Sequence, residues 1–231
     1  METLRPRYTL GPLCEWPLSC VGITQMLTRT PSSADLHVKD FCRSIVADAS
    51  PVLLPITAGP DDEPLNCFGN VRKKVAEDGG RIVFGWAIWE WPRVYIDAEH
   101  HAVYESSQGD WIDVTPSEVS GIGSRVFFED TSAIYDFENE GIRRDNHRLA
   151  LKRDPLIEEF FNSARRAHDA MNALPGIGNI EISPEIARHL GQLQQAHAQL
   201  LVQLAMRYLG RNDRCFCESG RKFKACHGAE R

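Results

Sequence analysis

At Gly79-Gly80 the chain changes its period, and that change constrains the fold more than any other feature of the sequence. Before it, "NCFGNVRKKVAED" (66–78) places Phe68, Val71 and Val75 on one face of a helix over residues 67–78. Asn66 stands where it can cap that helix, and the glycine pair stops it. After it, "RIVFGWAIWEW" (81–91), "RVYIDAEHHAVYE" (93–105), "DWIDVT" (110–115) and "SRVFFED" (124–130) are rich in β-branched and aromatic residues. "SSQGD" (106–110) is a turn between two of them. A helix feeding a largely antiparallel sheet is an α+β domain.

The flanks are simpler. Residues 1–33 carry Pro, Thr and Ser with little periodicity and read as an irregular leader. "ADLHVKDFCRSIVADA" (34–49) spaces Leu36, Val38, Phe41, Ile45 and Val46 as an amphipathic helix. "SPVLLPIT" (50–57) leans towards strand, and "GPDDEP" (59–64) is loop. From residue 154 the period is helical again, with a stripe of Leu156, Ile157, Phe160, Phe161, Ala164, Ala167, His168 and Met171. "NALPGIGN" (172–179) breaks it, and Pro184 opens a long helix. The seam of that helix is Ile186, Leu190, Leu193, His197, Leu200 and Leu204, able to pack on the preceding helix or on a second copy. The expected organisation is a leader (1–33), an α+β domain (34–150), a helical hairpin (151–209) and a cysteine-rich tail (210–231). The oligomeric state stays open.

Of 231 residues, 42% are apolar and 25% charged, enough for a core, and the net charge of −6 provides no global field for nucleic acid or anionic lipid. The opening "METLRPRYTLGPLCEWPLSC" lacks the apolar run of a signal peptide, and no stretch approaches the roughly 20 apolar residues of a membrane span. A cytoplasmic protein without membrane insertion is expected. In a reducing compartment, seven cysteines favour metal ligands and free thiols over disulfides. Cys14, Cys20 and Cys42 have no metal spacing and read as packing residues.

The tail "GRNDRCFCESGRKFKACHG" (210–228) sets Cys215 and Cys217 as C-x-C and, eight residues on, Cys226 beside His227. Three thiolates and one imidazole make a closed tetrahedral set for a structural zinc ion, which would supply most of the folding free energy of so short a segment. Gly220 allows the chain to reverse between the two halves. The stretch closely resembles the SEC-C motif, the zinc-binding tail of the SecA translocation ATPase, found at the end of many bacterial proteins. Arg214, Phe216 and Glu218 depart from the usual pattern without touching the ligands. The resemblance implies an interaction module for a protein partner or substrate. Arg211, Arg214, Arg221, Lys222 and Lys224 form a basic face for an acidic protein surface, a ribosome or a nucleic acid, or serve only solubility.

Inside the α+β domain, Cys67 opens the helix that leads into the sheet, where N–H groups and dipole favour a thiolate. On the strand that follows, alternation puts Asp97, Glu99, His101 and Val103 on one face and Ala98, His100 and Ala102 on the other. A turn at Gln108-Gly109 brings His101 within cross-strand range of Asp113. "HAVYE" (101–105) and "DVTP" (113–116) resemble the transglutaminase-like branch of the papain superfamily, with Phe68 where a Trp commonly follows the nucleophile. The resemblance implies Cys67 as nucleophile, His101 as base and Asp113 as its orienting carboxylate. Backbone N–H groups, with Asn66 as a side-chain candidate, would hold the oxyanion. His100 competes with His101 for the base. Trp86, Trp89 and Trp91 read as core and cleft lining, and Glu99 as a strand-edge or salt-bridging residue.

Three functions remain in view: a cysteine hydrolase or acyltransferase with a zinc-stabilised recruiting tail, a non-enzymatic zinc-binding adaptor, and a ribosome- or nucleic-acid-associated protein. In the adaptor, Cys67 would be a buried packing residue, and His101 and Asp113 a structural pair.

Overall fold

The computed structural model describes residues 8–10, 27–117, 121–138, 144–174, 180–217 and 219–229. In chain order its elements are β1 (Tyr8–Leu10), α1 (Leu36–Ile45), β2 (Val52–Pro55), α2 (Cys67–Asp78), β3 (Arg81–Trp91), β4 (Tyr95–Glu105), β5 (Trp111–Ile112), β6 (Ser124–Glu129), β7 (His147–Ala150), α3 (Pro155–Asn172), β8 (Ile180–Ile182) and α4 (Pro184–Tyr208), with a short 3-10 turn at Phe223–Ala225. The chain divides into two units, one spanning Thr28–Asp136 and Arg144–Lys152, the other holding α3, α4, the β1–β8 pair and the tail. Among the described residues no helix is long and apolar enough to cross a membrane.

The first unit is built on the hairpin β3–β4. Its strands pair antiparallel along their whole length, from Arg81↔Glu105 to Trp91↔Tyr95. The sheet order is β2-β6-β3-β4-β5, and β7 adds to β4 at Tyr95–Ala98. The two ends of this sheet meet. Ile56 bridges Asp113 in parallel, Thr57 N–H donates to the Asp113 carbonyl at 2.8 Å, and Asp113 N–H donates to the Pro55 carbonyl at 3.3 Å. The sheet therefore curls into a barrel-like layer with an inner and an outer face.

Register assigns the faces. Val83↔Val103, Gly85↔His101, Ala87↔Phe127 and Leu54↔Arg125 lie on the inner one. At one end the interior is apolar, with Leu54, Val83, Val103 and Phe127 buried together and Trp111 packed against them. Towards the other end it turns polar. The outer face carries both helices. Val38, Phe41 and Cys42 of α1 join Trp86, Ile88, Ile96, Ala98, Val126 and Phe128. Val71 of α2 joins Ala102, Tyr104 and Val114, with Phe68, Val75 and Ile82 alongside. Fully buried side chains of this size contribute about 1.5–3 kcal/mol each. Gly85 is required at its position, since a Cβ there would lie 2.0 Å from the Phe128 carbonyl oxygen.

In the second unit, α3 and α4 pack as an antiparallel hairpin. Ser163 Oγ and His197 Nδ1 are 2.7 Å apart in its interior, and Phe160 stacks on the His197 ring at 4.5 Å. Asp154 caps α3 by accepting from Leu156 N–H, and its carboxylate also takes bonds from Arg207 and Tyr208 at the end of α4.

Several expectations need amendment. Asn66 does not cap α2 with its side chain. Its amide donates instead to Glu63 Oε2 at 3.1 Å and lies against Gly69, where a Cβ would meet Asn66 Oδ1 at 2.5 Å. Leu201, not Leu200, is buried on α4, and Ile186 is exposed. Within the stretch read as an irregular leader, Tyr8–Leu10 form a strand against Ile180–Ile182. Strands β1, β7 and β8, of three, four and three residues, are too short to show a period in the sequence. Cys14, Cys20, the rest of the leader up to residue 26, and residues 175–179 of the helix break lie outside the described residues.

Candidate functional site

Two clusters carry chemistry, one in each unit. In the first, a loop delivers α2 to the sheet. Asn70, buried in the first turns of α2, donates from Nδ2 to the Glu63 carbonyl at 2.8 Å and accepts from Glu63 N–H at 3.1 Å. This pair of bonds fastens the loop to the helix and so fixes Cys67 at the helix start. Leu65, two residues before Cys67, has φ 60, a strained value for a non-glycine residue.

Opposite the helix start, strand β4 is bare on one edge. β7 covers it at Tyr95–Ala98 and β5 at Tyr104–Glu105, and among the described residues no strand covers 99–103 between them. β5 leaves β4 after Ile112, because Asp113 pairs with Ile56 instead. His101 sits in that interval. Its Nε2 is 3.1 Å from Asp113 Oδ2, with both side chains buried. Among the described residues, Nδ1 of His101 makes no hydrogen bond. Asp113 Oδ1 accepts from Thr115 N–H at 2.9 Å, so both carboxylate oxygens are engaged.

Electrostatics follow from this arrangement. Burial pushes the His101 imidazolium down, but the Asp113 carboxylate and then a Cys67 thiolate outweigh it, and His101 is held up at about 9. Burial works against the Asp113 anion, yet His101, Arg125 and the Thr115 N–H hold it below the usual carboxylate range. Cys67 is itself buried, at 7% exposure, and among the described residues its Sγ hydrogen-bonds to nothing. His100 faces the other way. Its Nε2 lies 2.6 Å from the Ala133 carbonyl, its ring packs on Phe68 and Trp86, and burial pushes it down to about 4. Of the two histidines, His101 alone meets Asp113. Glu99 accepts from Trp89 Nε1 at 2.8 Å, while Trp86 and Trp91 are core. The Cys42 thiol is pushed up to about 12 by burial, as befits a packing residue.

One residue here escaped the sequence reading. Arg125, on the inner face of β6, is 5% exposed and donates from Nη1 to Asp113 Oδ2, with the same nitrogen 3.2 Å from His101 Nε2. Its guanidinium lies 5.5 Å from the centroid of the Trp89 ring. The available signal was a basic residue at an inward position of "SRVFFE".

The second cluster is the tail. Arg214 and Lys222 form an antiparallel bridge, Cys215 N–H donates to the Arg221 carbonyl at 2.9 Å, and Gly220 turns the chain at φ 69. The tail's small interior is Phe216 and Phe223, and Gly228 closes over Phe223, whose Cδ1 would stand 2.6 Å from a Cβ. Ligand atoms of Cys215, Cys217, Cys226 and His227 all lie within 4.8 Å of one another. Cys217 Sγ is 3.6 Å from Cys215 Sγ and 3.4 Å from Cys226 Sγ. His227 Nδ1 is 3.3 Å from Cys215 Sγ and 3.5 Å from Cys226 Sγ. A tetrahedral zinc with Zn–S of about 2.3 Å and Zn–N of about 2.0–2.1 Å needs edges of about 3.8 Å between sulfurs and about 3.6 Å from sulfur to nitrogen. The Cys217–Cys215 and Cys217–Cys226 sulfur separations are too long for a disulfide, at about 2.0 Å, and they and the two sulfur–nitrogen separations lie within a few tenths of an ångström of the zinc edges. The Ser219 hydroxyl beside Cys217 brings that thiol down to about 6, whereas burial pushes Cys215 up.

Residues 211–229 match the SEC-C motif. The SEC-C segment thus contains the whole Cys3His set and the basic residues Arg211, Arg214, Arg221, Lys222 and Lys224, all five exposed. A protein translocase subunit SecA from Pseudomonas putida W619 is 31% identical over 97 residues, and that of strain KT2440 is 34% identical over 100, in each case taking in 38% of this chain and 10% of SecA. The chain spans about a tenth of the length of the curated relatives it matches. No solved structure matches. The tail is therefore a SEC-C module whose four side chains suit a structural zinc ion through Sγ of the three cysteines and Nδ1 of His227.

Proposed function

We propose that the chain is a cytoplasmic cysteine-dependent hydrolase or acyltransferase, acting on a peptide or amide carbonyl, whose zinc-bound SEC-C tail recruits a protein partner or substrate. The observation that carries this reading is the His101–Asp113 pair. Its carboxylate occupies Nε2 and leaves Nδ1 unengaged at the bare edge of β4, within electrostatic reach of the cysteine that heads α2. It also agrees with the transglutaminase-like resemblance of "HAVYE" and "DVTP".

In the proposed reaction His101 Nδ1 already holds the proton of Cys67, and the thiolate sulfur bonds to the carbonyl carbon. The tetrahedral oxyanion takes hydrogen bonds from the first N–H groups of α2, aided by the helix dipole. Asn66 has no part in it, because Glu63 holds its amide. The imidazolium, steadied by Asp113, passes the proton to the departing nitrogen as the C–N bond breaks and a thioester remains. Water then yields a carboxylic acid, or an amine yields a new amide, and the thiol is restored. Zinc takes no step here, since all four of its positions would be filled by protein.

A specific observation favours a second reading, the non-enzymatic adaptor. Arg125 neutralises the carboxylate that His101 needs, as in a purely structural ion cluster. The five exposed basic residues of the tail would then provide the function by binding an acidic protein surface or a ribosome. Site-resolved iodoacetamide labelling at neutral pH separates the two. The enzyme reading expects Cys67 to react much faster than Cys42, and Asp113→Asn to slow it. Labelling of Cys67 at the Cys42 rate, indifferent to Asp113→Asn, rejects that reading.

A further inference from the structure

His101 Nε2 and Arg125 Nη1 converge on a single atom, Asp113 Oδ2, while Asp113 Oδ1 is committed to the Thr115 N–H. We infer that Arg125 is a positioning residue for His101, limiting the grip of Asp113 on the imidazole proton by sharing its one available carboxylate oxygen. The inference rests on the acyl-transfer reading for its purpose, although its geometry stands apart from it.

A lone His–carboxylate pair in a buried site binds its proton tightly, because the ions stabilise each other in a low dielectric. A guanidinium at the same oxygen satisfies much of the carboxylate's hydrogen-bonding demand and sets a positive charge 3.2 Å from Nε2. Both effects oppose the imidazolium, so that Asp113 raises His101 less than it would alone. The guanidinium is itself held in place. It rests over Trp89, whose Nε1–H is tied to Glu99. Trp89, Glu99, Arg125, His101 and Asp113 thus form one network on the inner face of the sheet, drawn from β3, β4, β6 and the segment after β5.

The charged groups around His101 are few. Asp113 faces it from the segment after β5, Arg125 from β6 and Cys67 from α2. Its neighbour on β4, His100, is turned to the Ala133 carbonyl. Of these, only Arg125 opposes the imidazolium at hydrogen-bonding distance.

The test is NMR titration of the His101 ring in the zinc-loaded full chain. Arg125→Gln, which removes the charge but keeps a donor, should raise the His101 midpoint by about one pH unit or more, and Arg125→Lys should return it towards wild type. A midpoint that is unchanged or lower in Arg125→Gln overturns the inference. If Arg125→Gln does not fold, the wild type still decides. Its Arg125 Nη–H signals must shift with the His101 midpoint, and signals indifferent to that titration overturn the inference equally. The rate of Cys67 alkylation, measured on the same samples, reports on acyl transfer separately. A shifted midpoint with an inert Cys67 would retain Arg125 as the tuning residue and remove the enzyme.

Discussion

Replacing His101 with Gln should flatten one limb of the pH–stability curve of the α+β unit. His101 is held at about 9 in the fold, against an ordinary value of 6.5. A histidine raised in this way stabilises the folded state fully below pH 6.5, and the contribution is lost as pH rises through about 9. The interval corresponds to roughly 3 kcal/mol, and His101 is buried deeply enough that solvent screening takes little from it. Four tryptophans, Trp86, Trp89, Trp91 and Trp111, belong to this unit, so urea unfolding followed by their emission reports on it. Wild type should lose roughly 3 kcal/mol more than His101→Gln between about pH 6 and about pH 9.5. Thiol ionisation at Cys42 affects both proteins alike and cancels in the difference. His100 behaves oppositely. Pushed down to about 4 by burial, it stabilises the fold above pH 6.5 and ceases to do so as pH falls through about 4, so His100→Gln should flatten the acid limb instead. Parallel wild-type and His101→Gln curves above pH 6.5 would refute the assigned electrostatics.

Other expectations are more local. Cys215→Ser should leave the purified chain without the roughly one zinc per molecule that metal analysis finds in wild type, while the tryptophan-reported unfolding of the first unit is unchanged. Gly85→Ala forces a Cβ to within 2.0 Å of a backbone oxygen and should cost several kcal/mol, read as loss of native tryptophan emission or of soluble yield. Asn70→Ala removes two bonds to Glu63, and should lower stability by about 1–3 kcal/mol and slow Cys67 labelling because the helix start is no longer fastened to its loop.

The parts of this fold legible in the sequence are those fixed by local chemistry. Helix α2 was readable because Phe68, Val71 and Val75 keep helical spacing and Gly79 adopts φ 75 at its end. The β4–β5 turn was readable because Gly109, at φ 88, needs the freedom of glycine. The tail was readable because its ligand spacing leaves few alternatives. What stayed hidden depends on distant partners. β7 is four residues long, partly charged and partly exposed, and is a strand only because β4 offers it an edge. β1 and β8 define each other across some 170 residues. Asn66 looked like a cap from its type and position, but Glu63 competes for its amide. On α4, a seam drawn through Leu200 fits the spacing as well as one through Leu201, and only the packed hairpin selects the latter. In the candidate site, alternation along β4 and the turn at Gly109 were enough to bring His101 opposite Asp113. Nothing local announced that the sheet would curl and deliver Arg125 to the same carboxylate.

The central claim is that Cys67 forms a thioester with His101 as its base. The most direct measurement is reaction of the zinc-loaded chain with p-nitrophenyl acetate, followed by mass-spectrometric location of the acetyl group. The account predicts a burst of about one nitrophenol per chain, with acetyl on Cys67, abolished by His101→Ala and slowed by Asp113→Asn. Absence of a burst, or acetyl found on the tail cysteines and not on Cys67, would contradict it.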